Sequence, residues 1–276
     1  MTDRGNGGGR VDVGGVGIEY EVTGQGRPVV LLHGWPDTGR VWRHQVPALA
    51  SAGFQVIVPD LRGYGRSDKP EAVEAYAVPV LAADVRAILA DLGIARAHIV
   101  GHDIGGSVGW ALGATAPDSV DHLVVLSVGH PVTFLRTLEQ REKSWYMLLF
   151  NFPGAAERWL TGQDWAGFRA WARHPDSDQV IADLEATGSL TPSLKYYQAN
   201  RRPEAWATPP QVPAVKAPTM GVWGTADSIL TEVQMTDSAD HVTGPWRYER
   251  IDGPGHWLPL DAPDEVSSLL LDFLPR

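Results

Sequence analysis

The chain has 276 residues, of which 43% are hydrophobic, 20% are charged and none is cysteine. That length suits one α/β domain carrying an insertion, and the composition is rich enough for a substantial core. A net charge of −10 without any lysine/arginine run sets nucleic acid aside as a partner, and the lack of cysteine removes disulfides, thiolate metal sites and a thiol nucleophile.

Met1 to Arg10 is polar and glycine-rich with no apolar signal-peptide core, so it reads as a loose tail. Val11–Val13 and Val16–Val22, separated by Gly14-Gly15, predict an opening hairpin. Short β-branched runs at Pro28–Leu32, Gln55–Val58, Ala97–Val100 and His122–Ser127 suit buried parallel strands. Between the second and third of these, Leu81, Val85, Ile88, Leu89 and Leu92 recur at helical spacing, and Gly93 supplies a stop. The alternation predicts a mostly parallel central sheet flanked by helices.

From Pro131 to Gln211 that rhythm breaks. The segment is rich in tryptophan, arginine and helix formers and ends in the proline-dense stretch Pro203–Pro213, which predicts a helical lid over the C-terminal edge of the sheet, where open α/β sheets place their sites. Pro218–Trp223 and Arg247–Ile251 return to strand, and Asp264–Leu274 reads as the closing helix. The expected division is a core in two parts, residues 1–130 and 212–276, with a helical cap at 131–211. No stretch approaches the ~18 apolar residues of a membrane span, so the expectation is a cytoplasmic protein, monomer or homodimer, with no membrane partner.

The chemistry concentrates at Gly101-His102-Asp103-Ile104-Gly105. A strand runs into this segment and a helix of small residues runs out of it, with glycines that permit a sharp turn and close helix–strand packing. Asp103 stands where such a turn normally presents a serine. A carboxylate there can attack carbon and form an alkyl ester, whereas its attack on an acyl group would give a labile anhydride. Read by itself, Asp103 could equally cap the helix.

An alkyl ester must then be cleaved by water, which requires a base. His256, in the glycine-rich loop Gly253-Pro254-Gly255-His256-Trp257 after a late strand, has the best loop context of the nine histidines. Asp227, in Trp223-Gly224-Thr225-Ala226-Asp227, can fix its tautomer and balance its charge, or alone could be a turn-capping aspartate. The tetrahedral oxyanion of ester hydrolysis needs backbone donors, and the Ile104 amide together with the Trp35 amide of His33-Gly34-Trp35-Pro36 is placed to supply them. The helix N-terminus also favours the negative charge of Asp103.

Nucleophile, acid and histidine occur in the chain order of the α/β-hydrolase fold. With Pro59-Asp60-Leu61-Arg62-Gly63-Tyr64-Gly65-Arg66-Ser67-Asp68 added, the motifs at 33–36, 101–106, 223–227 and 255–257 are similar to those of epoxide hydrolases of the α/β-hydrolase superfamily, over nearly the whole chain. The resemblance implies a cis peptide between Trp35 and Pro36, an epoxide as substrate and no cofactor, and the aromatic-rich lid suits an apolar epoxide. It also implies two lid tyrosines that donate to the oxirane oxygen. Tyr146, before Phe150-Asn151-Phe152-Pro153-Gly154, and Tyr197, in Leu194-Lys195-Tyr196-Tyr197-Gln198-Ala199-Asn200, match those segments, with Tyr196 as the alternative to Tyr197.

One departure is Ile104, where many relatives, haloalkane dehalogenases among them, carry tryptophan. The backbone donor survives that change and a halide-binding indole N–H is lost. A haloalkane dehalogenase using the same aspartate remains the alternative enzyme, and a non-catalytic hydrolase-fold binding protein the alternative outside enzymes. Neither a dinucleotide fingerprint nor a metal-ligand spacing is present: position 68, after Gly63-Tyr64-Gly65, is aspartate, and no His-Glu-x-x-His occurs. Trp145, Trp159, Trp165 and Trp171 read as packing and pocket wall.

Overall fold

In the computed structural model, which describes residues 7–201 and 203–276, eight strands form one sheet. They are β1 (Gly7–Asp12), β2 (Gly17–Thr23), β3 (Arg27–Leu32), β4 (Phe54–Pro59), β5 (Ala97–His102), β6 (Val120–Leu126), β7 (Thr219–Gly224) and β8 (Trp246–Ile251). Their order across the sheet is β1-β2-β4-β3-β5-β6-β7-β8, with β2 antiparallel to both neighbours and the strands from β4 to β8 parallel. The predicted loose tail needs correcting. Residues 7–10 belong to β1, because an exposed glycine-rich segment can still be held by the full ladder that β2 offers from Gly17 to Val22. Residues 1–6 of that call lie outside the described residues.

The central strands are apolar on both faces, which is why they read as continuous hydrophobic runs. Val30, Leu32, Ile99, Leu123 and Val125 pack on one side with α2 (Val78–Asp91) and α3 (Ile104–Thr115). Val29, Leu31, Val100, Val124 and Leu126 pack on the other with α1 (Gln45–Ser51) and α11 (Pro263–Phe273). Adjacent residues thus face opposite layers, the period-2 geometry of a strand.

Between β6 and β7 the chain forms α4 (Leu138–Lys143), α5 (Trp145–Phe150), α6 (Ala155–Ala172), α7 (Ser177–Thr187) and α8 (Leu190–Asn200), and no strand among the described residues. The helix α6 is broken inside: Gly162 is extended, and Gln163, Asp164 and Trp165 are left-handed. This break turns its second half, with Phe168 and Trp171, onto Trp35 of the core. Two short helices, α9 (Glu232–Thr236) and α10 (Leu258–Asp261), lie in the loops after β7 and β8. Among the described residues, no helix is long and apolar enough to cross a membrane.

Candidate active site

Asp103 sits alone between the last residue of β5 and the first of α3, at φ 50° and ψ −113°. A residue with a Cβ is strained there, so the surroundings must enforce the turn. They do so by close backbone approach: a Cβ on Gly105 would run into the carbonyls of Leu32 and His33, and one on Gly34 would lie 2.5 Å from the Asp103 Cβ. The Asp103 side chain makes no helix-capping bond, so that alternative falls. Its Oδ2 instead accepts the Trp35 N–H at 3.1 Å. The Ile104 N–H, at the first position of α3, is one of the amides that an opening helical turn leaves without an intrahelical acceptor.

The loop that supplies Trp35 is pinned beneath the site. His33 is fully buried, and its Nε2 accepts the Leu61 N–H at 2.9 Å. Burial lowers its pKa, which agrees with this acceptor role for a neutral ring. The peptide between Trp35 and Pro36 is cis, as the resemblance implied. On its other side the Trp35 indole N–H donates to Ser193 Oγ of α8 at 3.0 Å.

His256 and Asp227 come together from the loops after β8 and β7, with His256 Nδ1 at 2.9 Å from Asp227 Oδ2. The second carboxylate oxygen accepts the N–H groups of Ile229 and Leu230 at 2.7 and 2.8 Å. Asp227 therefore organises its turn through one oxygen and the imidazole through the other. Burial alone would lower the His256 pKa, but the charge and hydrogen bond of Asp227, with a further contribution from Asp103, raise it above the ordinary value of 6.5. The His256 carbonyl is held by two donors, His102 Nε2 and Ser127 Oγ, each at 2.8 Å. Burial and the nearby His256 drop the His102 pKa to about 4, so this ring is a neutral donor.

A narrow pocket with only about 10 Å³ of free space is lined by Asp103, His256, Trp35, Tyr146, Tyr197 and Trp171, with Ile229 and Trp257 beside them. The two tyrosine rings meet edge to face, 5.9 Å apart. Burial first, and the Asp103 charge second, push both phenols well above their ordinary pKa, so both stay protonated. Tyr196 is buried outside this pocket with its hydroxyl toward Ser107, which decides between the two adjacent tyrosines in favour of Tyr197 as a pocket residue.

Of the residues singled out from the sequence, Asp103, His256, Trp35, Tyr146 and Tyr197 line one cavity, and Asp227 stands behind it through its bond to His256. Sequence reasoning missed His102 and Ser127, which act through a backbone carbonyl and leave no motif of their own. It also left Ile229 and Trp257 unassigned. Trp171 is pocket wall, as expected, while Trp165 packs within the lid and gives its N–H to Glu185 at 3.0 Å.

Residues 27–263 match the family described as alpha/beta hydrolase fold. The chain is 34% identical to epoxide hydrolase A of Mycobacterium tuberculosis, over 96% of each chain. Among solved structures, epoxide hydrolase A from Mycobacterium thermoresistibile is 30% identical with a TM-score of 0.81 over 98% of both chains. An epoxide hydrolase from Bacillus megaterium, solved with an inhibitor, is 26% identical with a TM-score of 0.88 over 97% of this chain and 100% of its own.

Proposed function

Since this chain belongs to the α/β-hydrolase family and stands among its epoxide hydrolases, we propose that it hydrates an apolar epoxide to a vicinal diol through an ester on Asp103. The observation that carries this reading is the convergence of a carboxylate nucleophile, a carboxylate-paired histidine and two protonated phenols on one pocket. Residues 131–211 act as the cap that brings the phenols to the core.

An Asp103 carboxylate oxygen attacks a ring carbon, the carbon–oxygen bond of the oxirane breaks, and the alkoxide takes a proton from Tyr146 or Tyr197. The product of this step is a hydroxyalkyl ester. Water then gives a proton to His256, oriented by Asp227, and adds to the ester carbonyl; the Trp35 and Ile104 amides hold the oxyanion. Collapse releases the diol oxygen, which takes the proton back from His256, and the carboxyl group reprotonates the tyrosinate. No cofactor is required by this sequence of bonds.

Trp35 N–H already lies at hydrogen-bond distance from the carboxylate. Alkylation neutralises that oxygen, and the donor is then in place for the charge that forms when water adds. The reading is tested by a single turnover in water enriched in oxygen-18. The label is expected in the Asp103 carboxylate and not in the diol; label appearing first in the diol sinks the ester pathway. Halide release from bromoalkanes without turnover of styrene oxide would assign the same aspartate to dehalogenation instead.

A further inference from the structure

At the other end of β5 from Asp103, three potential ligands meet: His98, Asp121 and His122, whose ligand atoms all lie within 4.8 Å of one another. The sequence has no metal-ligand spacing here. Strand pairing makes the cluster, through an irregularity in the β5–β6 ladder: Ala97 pairs with Val120 and Ile99 with Leu123, so one residue, His98, opposes two, Asp121 and His122. A bulge of this kind re-aims side chains and is rare between parallel strands.

The decisive group is His98, whose side chain is 1% exposed. Its Nε2 faces the Pro275 carbonyl at 3.1 Å, and a carbonyl only accepts, so the proton sits on Nε2. That leaves Nδ1, which is buried and has no hydrogen-bond partner. It faces Asp121 Oδ2 at 3.8 Å, beyond hydrogen-bond reach. The buried Nδ1 of His122 is likewise without a partner and lies 4.0 Å from Asp121 Oδ1. Two buried imidazole nitrogens therefore face one carboxylate without a hydrogen bond to it.

We propose that His98 Nδ1, His122 Nδ1 and the Asp121 carboxylate form a binding site for a divalent first-row transition metal, zinc above all. Imidazole and carboxylate suit Zn²⁺, and bond lengths of about 2.0–2.2 Å bring neighbouring ligand atoms of a tetrahedral ion to roughly 3.4 Å apart, a small closure from the distances present. The Pro275 carbonyl is the outer partner that metal-bound histidines characteristically have. Asp121 and His122 are about one-fifth exposed, at 21% and 19%, so an ion can enter from solvent and keep a water as its fourth ligand. Arg27 approaches Asp121 Oδ2 at 3.5 Å and, half exposed, need only turn outward, whereas Arg96, tied to the Val120 carbonyl at 3.1 and 3.0 Å, stays 3.6 Å from Oδ1 and leaves Oδ2 to the ion. A bound ion would clamp β5 to β6 at the end remote from the pocket, so its effect is on stability and not on turnover.

The test uses the full-length protein freed of metal by chelator and dialysis. Zn²⁺ is expected to raise Tm with the logarithm of its free concentration above Kd, by roughly 5 °C at a hundredfold excess. Co²⁺ is expected to give the intense visible bands of a four-coordinate nitrogen/oxygen site. Both effects should vanish in His122→Gln and Asp121→Asn, whose epoxide turnover should match the parent. These two partly exposed positions keep the test valid where His98→Gln fails to fold. A Tm indifferent to Zn²⁺, Ni²⁺ and Cu²⁺, or a rise undiminished in both variants, overturns the proposal.

Discussion

On the reading proposed above, the charge on Asp103 adds to the basicity of His256, and that contribution is expected to be lost during the reaction. Burial opposes the imidazolium, yet Asp227, aided by Asp103, lifts the His256 pKa above 6.5 in the resting protein. The base must be neutral to accept a proton from water, so a raised pKa impairs ester hydrolysis on the acid side. Once Asp103 is alkylated its negative charge is gone, one of the causes of the rise disappears, and the histidine becomes available when it is needed. NMR titration of resting protein should therefore place His256 above 6.5, and Asp103→Asn should lower it. The acid limb of single-turnover ester hydrolysis should likewise fall at lower pH than the resting titration. A titration that Asp103→Asn leaves unmoved would show that the two groups are not coupled.

At the scale of elements, the loop after β3 and the end of α6 are joined by a buried pair, Asp37 and His174. His174 Nδ1 accepts the Asp176 N–H at 3.0 Å, so its proton is on Nε2, which faces both Asp37 oxygens at 3.2 Å. Burial by itself would raise the Asp37 pKa, but His174, with smaller help from His102 and His33, brings it below the ordinary 3.8. A carboxyl whose folded pKa is depressed stabilises above its unfolded value and ceases to do so as pH falls through the folded one. Asp37→Asn keeps the shape and removes the charge. It is expected to cost about 2 kcal/mol at neutral pH, with the gap to the parent closing below about pH 4. Thermal melts from pH 7 to pH 3 check this, and a gap constant over that range would contradict it.

The strand before Asp103 was legible in the sequence because Ile99 and Val100 must be apolar on both faces, and the turn because Gly101 and Gly105 leave no room for a side chain. Asp227 and His256 were legible from their loops and their order. The break in α6 was not: Gln163, Asp164 and Trp165 carry no breaker signal beyond Gly162, and all three are left-handed where Trp165 meets Phe168 edge to face. Nor was β1, since Gly7 to Gly9 have poor strand propensity and take their conformation from the ladder with β2. The pairing of His174 with Asp37 spans 137 residues, and no local pattern encodes it.

For the molecule as a whole, Asp103 and His256 come from the loops of the sheet while Tyr146, Tyr197 and Trp171 come from the helices between β6 and β7, so the pocket lies where the two meet. Trp171 is central to that meeting: its ring lies 4.6 Å from Tyr146 and 5.7 Å from both Trp35 and Phe150. With only about 10 Å³ of free space left between these side chains, the Trp171 indole is expected to set the width available to the substrate. Trp171→Ala should cost about 3 kcal/mol of stability, the lower end for a large-to-small change, because the indole is only partly buried. It should also raise kcat/KM for phenyl glycidyl ether relative to propylene oxide by roughly tenfold, the amount a change in pocket fit commonly yields. The ratio is the informative quantity, since general loosening of the lid lowers both rates together by misplacing the two phenols. An unchanged ratio with a lower Tm would make Trp171 a packing residue alone and shift the control of substrate width to Trp35 and Trp257.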